Sequence, residues 1–146
     1  MSDIYNLQRF VDAQDPVYAQ ALDELRAGAK RSHWMWFVFP QIAGLGSSEM
    51  ARSFAISSAD EARAYLSHPI LGPRLEECAR LACLVEGRSV RAIFGAPDDL
   101  KFHSSMTLFA AVAPDAIFSQ ALAKYFAGKA DSATLERLAR PAGVKP

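Results

Sequence analysis

The chain has 146 residues and zero formal net charge, with 16 basic and 16 acidic side chains, so it carries no overall field to draw nucleic acid or an anionic membrane surface. Hydrophobic residues make up 51%; that is enough for one well-packed core, in a chain too short for two ordinary domains. No run approaches the roughly 18 apolar residues of a membrane span, and the opening MSDIYNLQRF shows an early acid and no apolar stretch before a cleavage site, so a cytoplasmic address is expected.

Residues 5–14 place Leu7, Phe10 and Val11 at helical spacing, and Asp15 with Pro16 supplies a cap and a first-turn proline for a second helix over 16–26. Val17, Ala21, Leu22 and Leu25 form its apolar stripe, and Gly28 stands where it should end. The two are expected to make a helical hairpin. Residues 32–48 crowd aromatic side chains without a helical period and are broken by Pro40, Gly44 and Gly46. They predict an ordered loop with an extended piece at 36–39.

Helix resumes near Ser48. Ser58 followed by Glu61 has the form of a capping box that opens a helix over 59–66, which His68 and Pro69 break. Over 69–86, Leu71, Leu75, Ala79, Ala82 and Val85 recur at steps of three and four, which predicts the central helix of the domain, closed by Gly87. It carries both cysteines, Cys78 and Cys83, five apart and on different sides with no further ligand beside them. They read as two small buried hydrophobes. A short apolar piece at 90–94 precedes a turn at 95–99. Residues 101–113 form a second aperiodic stretch; Pro114 opens a helix reaching Phe126, Gly128 ends it, and Asp131 or Ser132 caps a last helix through Leu138. The expectation is an all-α, single-domain multihelical bundle with ordered aromatic loops over residues 5–138, and a frayed tail over 139–146.

Three stretches concentrate residues suited to chemistry. The first holds Arg31, His33, Trp34, Trp36, Phe37 and Gln41. Its rings either fill space where a loop crosses the core, or form the flat apolar wall of a ligand pocket to which Arg31, His33 and Gln41 add the polar contacts. The second, Gly44, Gly46, Ser47 and Ser48 before Glu49, offers backbone N–H groups and hydroxyls to an anion, or is an ordinary loop and cap. It is no dinucleotide fingerprint, because no strand precedes it and the third glycine is missing. The third runs from Asp98 through Lys101, His103, Ser104 and Ser105 to Thr107, two acids, a base, an imidazole and three hydroxyls in ten positions; the hydroxyls serve either a ligand or their own backbone. No serine stands in a nucleophile elbow. The three histidines, His33, His68 and His103, lack metal-ligand spacing, so neither a metal nor a cofactor is expected.

On these motifs the chain resembles a bacterial family of unknown function sometimes mislabelled "calpastatin". The likeness is carried by His33, Trp34, Met35, Trp36 and Phe37 with Phe39, Pro40 and Gln41, by Gly44, Leu45, Gly46 and Ser47, and by Lys101 with Ser104, Ser105, Met106, Thr107, Leu108 and Phe109. It extends to Arg9, Phe10 and Gln14 at the start, to Glu61 and Tyr65, and to Gly128, Asp131 and Thr134, and so covers roughly 5–138. The resemblance implies a compact multihelical fold. The label itself implies a disordered protease inhibitor, whereas this chain is rich in aromatics and helix caps and should fold. The one departure falls at Phe102 and His103. A fainter similarity in motif order links Ser48 and Glu49, Ser58 with Glu61, Lys101 and Met106 to helical N-glycosidases acting on ADP-ribose derivatives and riboflavin-pathway intermediates; Met50 and Ala51 stand where that group has His and Tyr.

Two functions follow as expectations. One is a site for a nucleotide-like small molecule, walled by Trp34, Trp36 and Phe37 with phosphate or ribose near residues 44–48 and Lys101. If it hydrolyses an N-glycosidic bond, Glu49 or Asp98 is the catalytic carboxylate; whether it is an enzyme stays open. The other is a non-catalytic module that docks a protein partner or a second copy through the aromatic loop.

Overall fold

Local sequence sets the helix starts. Ser48, Ser58, Ser89 and Asp131 each accept a hydrogen bond from the backbone N–H three residues on, at Ala51, Glu61, Ala92 and Thr134. Such caps satisfy one of the four N–H groups that a first turn leaves free, worth about 1 kcal/mol each. A computed structural model describes residues 3–140; of the tail expected over 139–146, Ala139 is the last residue of a helix and residues 141–146 lie outside the described residues.

The helices run α1 Gln8–Gln14, α2 Tyr18–Ala27, α3 Met35–Val38, α4 Glu49–Ser53, α5 Ala59–Ser67, α6 Leu71–Leu84, α7 Val90–Phe94, α8 Asp98–Val112, α9 Ile117–Phe126 and α10 Ser132–Ala139. Among the described residues no strand forms. One isolated parallel bridge joins Ile42 to Ile56, pinning the segment before Gly44 to the segment before α5. The fold is all-α and single-domain, as expected. Among the described residues no helix is long and apolar enough to cross a membrane.

Three elements are helical where the sequence reading gave no helix. The segment expected to be extended at 36–39 is the short helix α3, the aperiodic stretch at 101–113 is the long helix α8, and the apolar piece at 90–94 is α7. Periodicity reports a helix only when one face meets water. In α8 every residue from Ser104 to Phe109 is buried. It packs against α5, α7, α9 and α10, so it shares the central position that the sequence reading gave to α6, itself packed on α2, α5 and α9.

Other helix ends shift from expectation: α2 begins at Tyr18 with Val17 rather than Asp15 at its cap, α6 ends at Leu84 short of Gly87, and α9 begins at Ile117, beyond Pro114. Gly28 ends α2 in the left-handed conformation at φ 70°. His68 leaves α5 with extended backbone before Pro69. Cys78 is buried on α6 and Cys83 half-buried; burial pushes the Cys78 thiol up to about 12. The core is strongly aromatic. Phe102 of α8 stacks on Phe94 at 4.5 Å and meets Phe39 edge-on at 5.0 Å, while Tyr65 meets Phe10 edge-on at 5.1 Å.

Candidate functional site

Four segments far apart in sequence meet around one cleft of about 450 Å³. Trp36 and Gln41 come from α3 and the residues after it, Leu45 to Ser48 and Ala51 from the next loop and α4, Pro97, Leu100, Lys101 and Ser104 from the start of α8, and Asp131 and Ala133 from the start of α10. Its size lies within the range of small-molecule sites.

Lys101 and Trp36 form one wall. The Lys101 ammonium stands 4.7 Å from the centre of the Trp36 ring and 3.3 Å from Asp98 Oδ1. Asp98 Oδ2 lies 2.8 Å from Lys30 Nζ, whose side chain is only 7% exposed. Lys30 also donates to the Ser32 carbonyl at 2.6 Å and sits 5.2 Å from the centre of Trp34. Two ammonium groups therefore share one carboxylate, and the cluster leaves a net positive charge beside the aromatic wall. Asp98 is held between cations rather than presented to the cleft.

Asp131 is fixed from two directions. Its backbone N–H donates to Thr107 Oγ1 at 2.9 Å, and Thr107 donates in turn to the His103 carbonyl at 2.9 Å. Its Oδ2 accepts from Thr134 Oγ1 at 2.6 Å and from Thr134 N–H at 3.1 Å. Ser104 Oγ lies 3.2 Å from the same oxygen and 3.1 Å from the Leu100 carbonyl; its single proton serves one of them at a time. The hydroxyls of Ser104 and Thr107 thus tie α8 to the start of α10.

The 44–48 loop closes the third side. Gly44 has φ 97°, and a Cβ there would lie 2.6 Å from the Arg137 guanidinium carbon; Arg137 donates to the Gly44 carbonyl at 3.3 Å. Arg52 reaches back to the Ser47 carbonyl, and Ser48 caps α4. A Cβ on Gly46 would stand 2.7 Å from that of Ala51. A second hollow of about 310 Å³ shares Gln41, Gly46 and Ala51 with the cleft and adds Ile42, Gly44 and Arg52.

Of the residues expected at a site, Trp36, Gln41, Gly46, Ser47, Ser48, Lys101 and Ser104 line the cleft, and Gly44 lines the adjoining hollow. The others go elsewhere. Trp34 is buried and gives its indole N–H to Glu24 at 2.9 Å, and Phe37 is buried 5.3 Å from Phe54. Arg31 borders a separate hollow with Gln20, Asp23 and Glu24. His33 and Glu49 are exposed and outside the lining. Ser105 Oγ is buried with no partner among the described residues, and Thr107 serves Asp131. Among the described residues no cluster of three or more His, Cys, Asp or Glu could hold a metal.

Sequence reasoning missed two groups. Asp131 stood out as a helix cap and in the family resemblance but not as a site residue, and its place on the cleft wall depends on how α10 packs on α8. Glu24, which no motif marks, is buried and accepts from Arg31 N–H, Ser32 N–H and Oγ, Gln20 Nε2 and Trp34 Nε1. Burial alone would raise its pKa; the hydrogen bonds from Ser32, Arg31 and Trp34 outweigh that and bring it down to about 2.

A family model described as a protein of unknown function, DUF1810, matches residues 4–138; the chain belongs to that family. It is also similar to the crystal structure of a conserved hypothetical protein from Mycobacterium tuberculosis, at 56% identity and a TM-score of 0.93, over 95% of this chain and 100% of that one. No curated protein matches. Neither description assigns an activity.

Proposed function

We propose that this family member binds a nucleotide-like small molecule in the cleft between Trp36, the 44–48 loop, Lys101 and Asp131. The observation that carries the reading is the Lys101–Trp36 pair: a cation 4.7 Å from an indole centre, beside three hydroxyls and an amide on the same lining. Apolar aromatic area suits a base, and the net positive charge of the cluster formed by Lys30, Lys101 and Asp98 suits phosphate. Ser47, Ser48, Ser104 and Gln41 supply the few directional contacts.

Binding is better supported than N-glycosidic hydrolysis. Hydrolysis needs a carboxylate at the anomeric carbon, whereas Glu49 lies outside the lining and Asp98 is engaged by two lysines. Docking through the aromatic loop is also less supported, because Trp34, Phe37 and Phe39 are core residues.

The test is a titration with adenine nucleotides, NAD, ADP-ribose and flavin mononucleotide, followed by tryptophan fluorescence and thermal unfolding. A ligand bound only by the native state raises stability, by about 2.7 kcal/mol at a hundred times its Kd. Saturable signals that weaken at least tenfold in Trp36→Ala and Lys101→Met are expected. A flat response across the panel would sink the reading.

A further inference from the structure

We propose that Asp131 reads hydroxyl groups in this cleft, and that the ligand is a ribonucleotide whose free vicinal diol lies against Asp131 and Ser104. The inference rests on the nucleotide reading above and adds the part of the ligand that the cleft selects.

The argument starts from the two carboxylate oxygens. Oδ2 takes both donors of Thr134 and lies within reach of Ser104 Oγ. With the backbone N–H of the same residue held by Thr107, the carboxylate is fixed in position and rotation. Among the described residues no donor reaches Oδ1, although the residue is half-buried and forms cleft wall. An acceptor so placed, held rigidly and open to the cleft, favours a ligand that brings a donor to it.

Of the groups a nucleotide carries, phosphate is excluded at this point by charge, and the ribose hydroxyls are donors. Ser104 stands beside Asp131 and has lone pairs to accept a second hydroxyl. Two neighbouring acceptors match two neighbouring hydroxyls. Lys101 lies three residues before Ser104, on the same face of α8, which sets the cation for phosphate one helical turn from the diol acceptors. Leu100, 63% exposed and on the same lining, and Trp36 leave apolar area for the base. Polar readers of this kind discriminate strongly, because an analogue without the hydroxyl leaves the acceptor unpaired.

AMP and ADP are each compared with their 2′,3′-dideoxy counterparts in the wild-type chain and in Asp131→Asn. Asparagine keeps a capping oxygen for Thr134 and turns the oxygen facing the cleft into an NH₂ donor; unchanged thermal unfolding without ligand confirms that the fold is kept. The expected result is that the wild-type chain binds the ribonucleotides about ten to a hundred times more tightly than the dideoxy forms. In Asp131→Asn that ratio falls to near one through loss of ribonucleotide affinity, with the dideoxy affinity unmoved. Equal wild-type affinity for both forms overturns the role of Asp131 and leaves the nucleotide reading standing. The same follows if the variant loses both forms equally. No binding of either ribonucleotide overturns this inference, and no binding anywhere in the earlier panel overturns the nucleotide reading as well.

Discussion

Glu24 Oε1 accepts the Trp34 indole N–H at 2.9 Å and the Arg31 backbone N–H at 2.8 Å, so a single carboxylate in α2 anchors the start of the segment that carries Trp36. The cleft's aromatic wall therefore depends on a residue outside the cleft. Replacing Glu24 by Ala strands the Trp34 indole N–H in the interior and unpairs two part-buried backbone N–H groups, at Arg31 and Ser32. The expected cost is about 3 kcal/mol or more, read as a lower denaturant midpoint.

The same carboxylate makes a pH prediction. Its folded pKa is about 2 against an ordinary value of 4.5, so the folded state holds this proton less tightly than the unfolded chain. The stability that follows is fully present above pH 4.5 and is lost as pH falls through that value toward 2. Acid titration of wild type against Glu24→Gln should show the wild type losing stability more steeply in that window. Parallel curves would mean that Glu24 is not the titrating group.

Gly72 separates steric from conformational cost. A Cβ there would lie 2.1 Å from the Leu66 carbonyl oxygen, which is backbone and cannot swing aside, so Gly72→Ala must push α6 away from the end of α5. A loss of about 3 kcal/mol is expected. Gly87 has nothing within 4 Å but a φ of 73°, so Gly87→Ala should cost only about 1 kcal/mol, the strain of a left-handed backbone. Thermal unfolding of the two variants should differ accordingly; equal losses would contradict the close approach of α5 and α6.

What the sequence discloses and what it hides follow from the range of the forces involved. Ser58, Asp131, Gly28 and the break at His68 and Pro69 were legible because capping, left-handed turns and proline restriction act within a few residues. Helix α8 was not, since it buries Ser104, Ser105 and Thr107 along with its apolar residues and so leaves no polar–apolar period to read. The aromatic segment shows the same limit at finer scale. Trp34 and Trp36 are chemically alike and two residues apart, yet Trp34 turns to Glu24 and the core while Trp36 turns to Lys101 and the cleft. Only tertiary packing separates them. Trp36, Ser47, Lys101 and Ser104 stand out in the sequence as motif residues, but their meeting in one cleft is not legible there, and Asp131 joins them through contacts spanning 24 and 27 positions.

Gly46 tests whether the 44–48 loop shapes the cleft. Its backbone is in an ordinary conformation, and the only obstacle to a side chain is Ala51, whose Cβ would lie 2.7 Å from the added one. Gly46→Ala should force the loop from α4, lowering ligand affinity several-fold with a stability loss of about 1 kcal/mol. Adding Ala51→Gly removes the clash and should recover most of the affinity, although the exposed helix pays about 1 kcal/mol for the glycine. Affinity that is not recovered in the double variant would show that the two residues are not coupled.

The lysine pair around Asp98 gives an asymmetric expectation. Lys30 is nearly buried and Asp98 is its carboxylate partner, while Lys101 is 23% exposed and lines the cleft. Lys101→Met leaves the inner pair intact, so it should cost less than about 1 kcal/mol of stability while weakening an anionic ligand about tenfold. Asp98→Asn instead strands the inner ammonium with only the Ser32 carbonyl and the Trp34 ring, and breaking a buried pair by removing one partner costs about 3 kcal/mol. Denaturant unfolding and ligand titration on both variants separate the roles. Equal stability losses would mean that Asp98 serves Lys101 alone, and an undiminished affinity in Lys101→Met would remove the cation from the site.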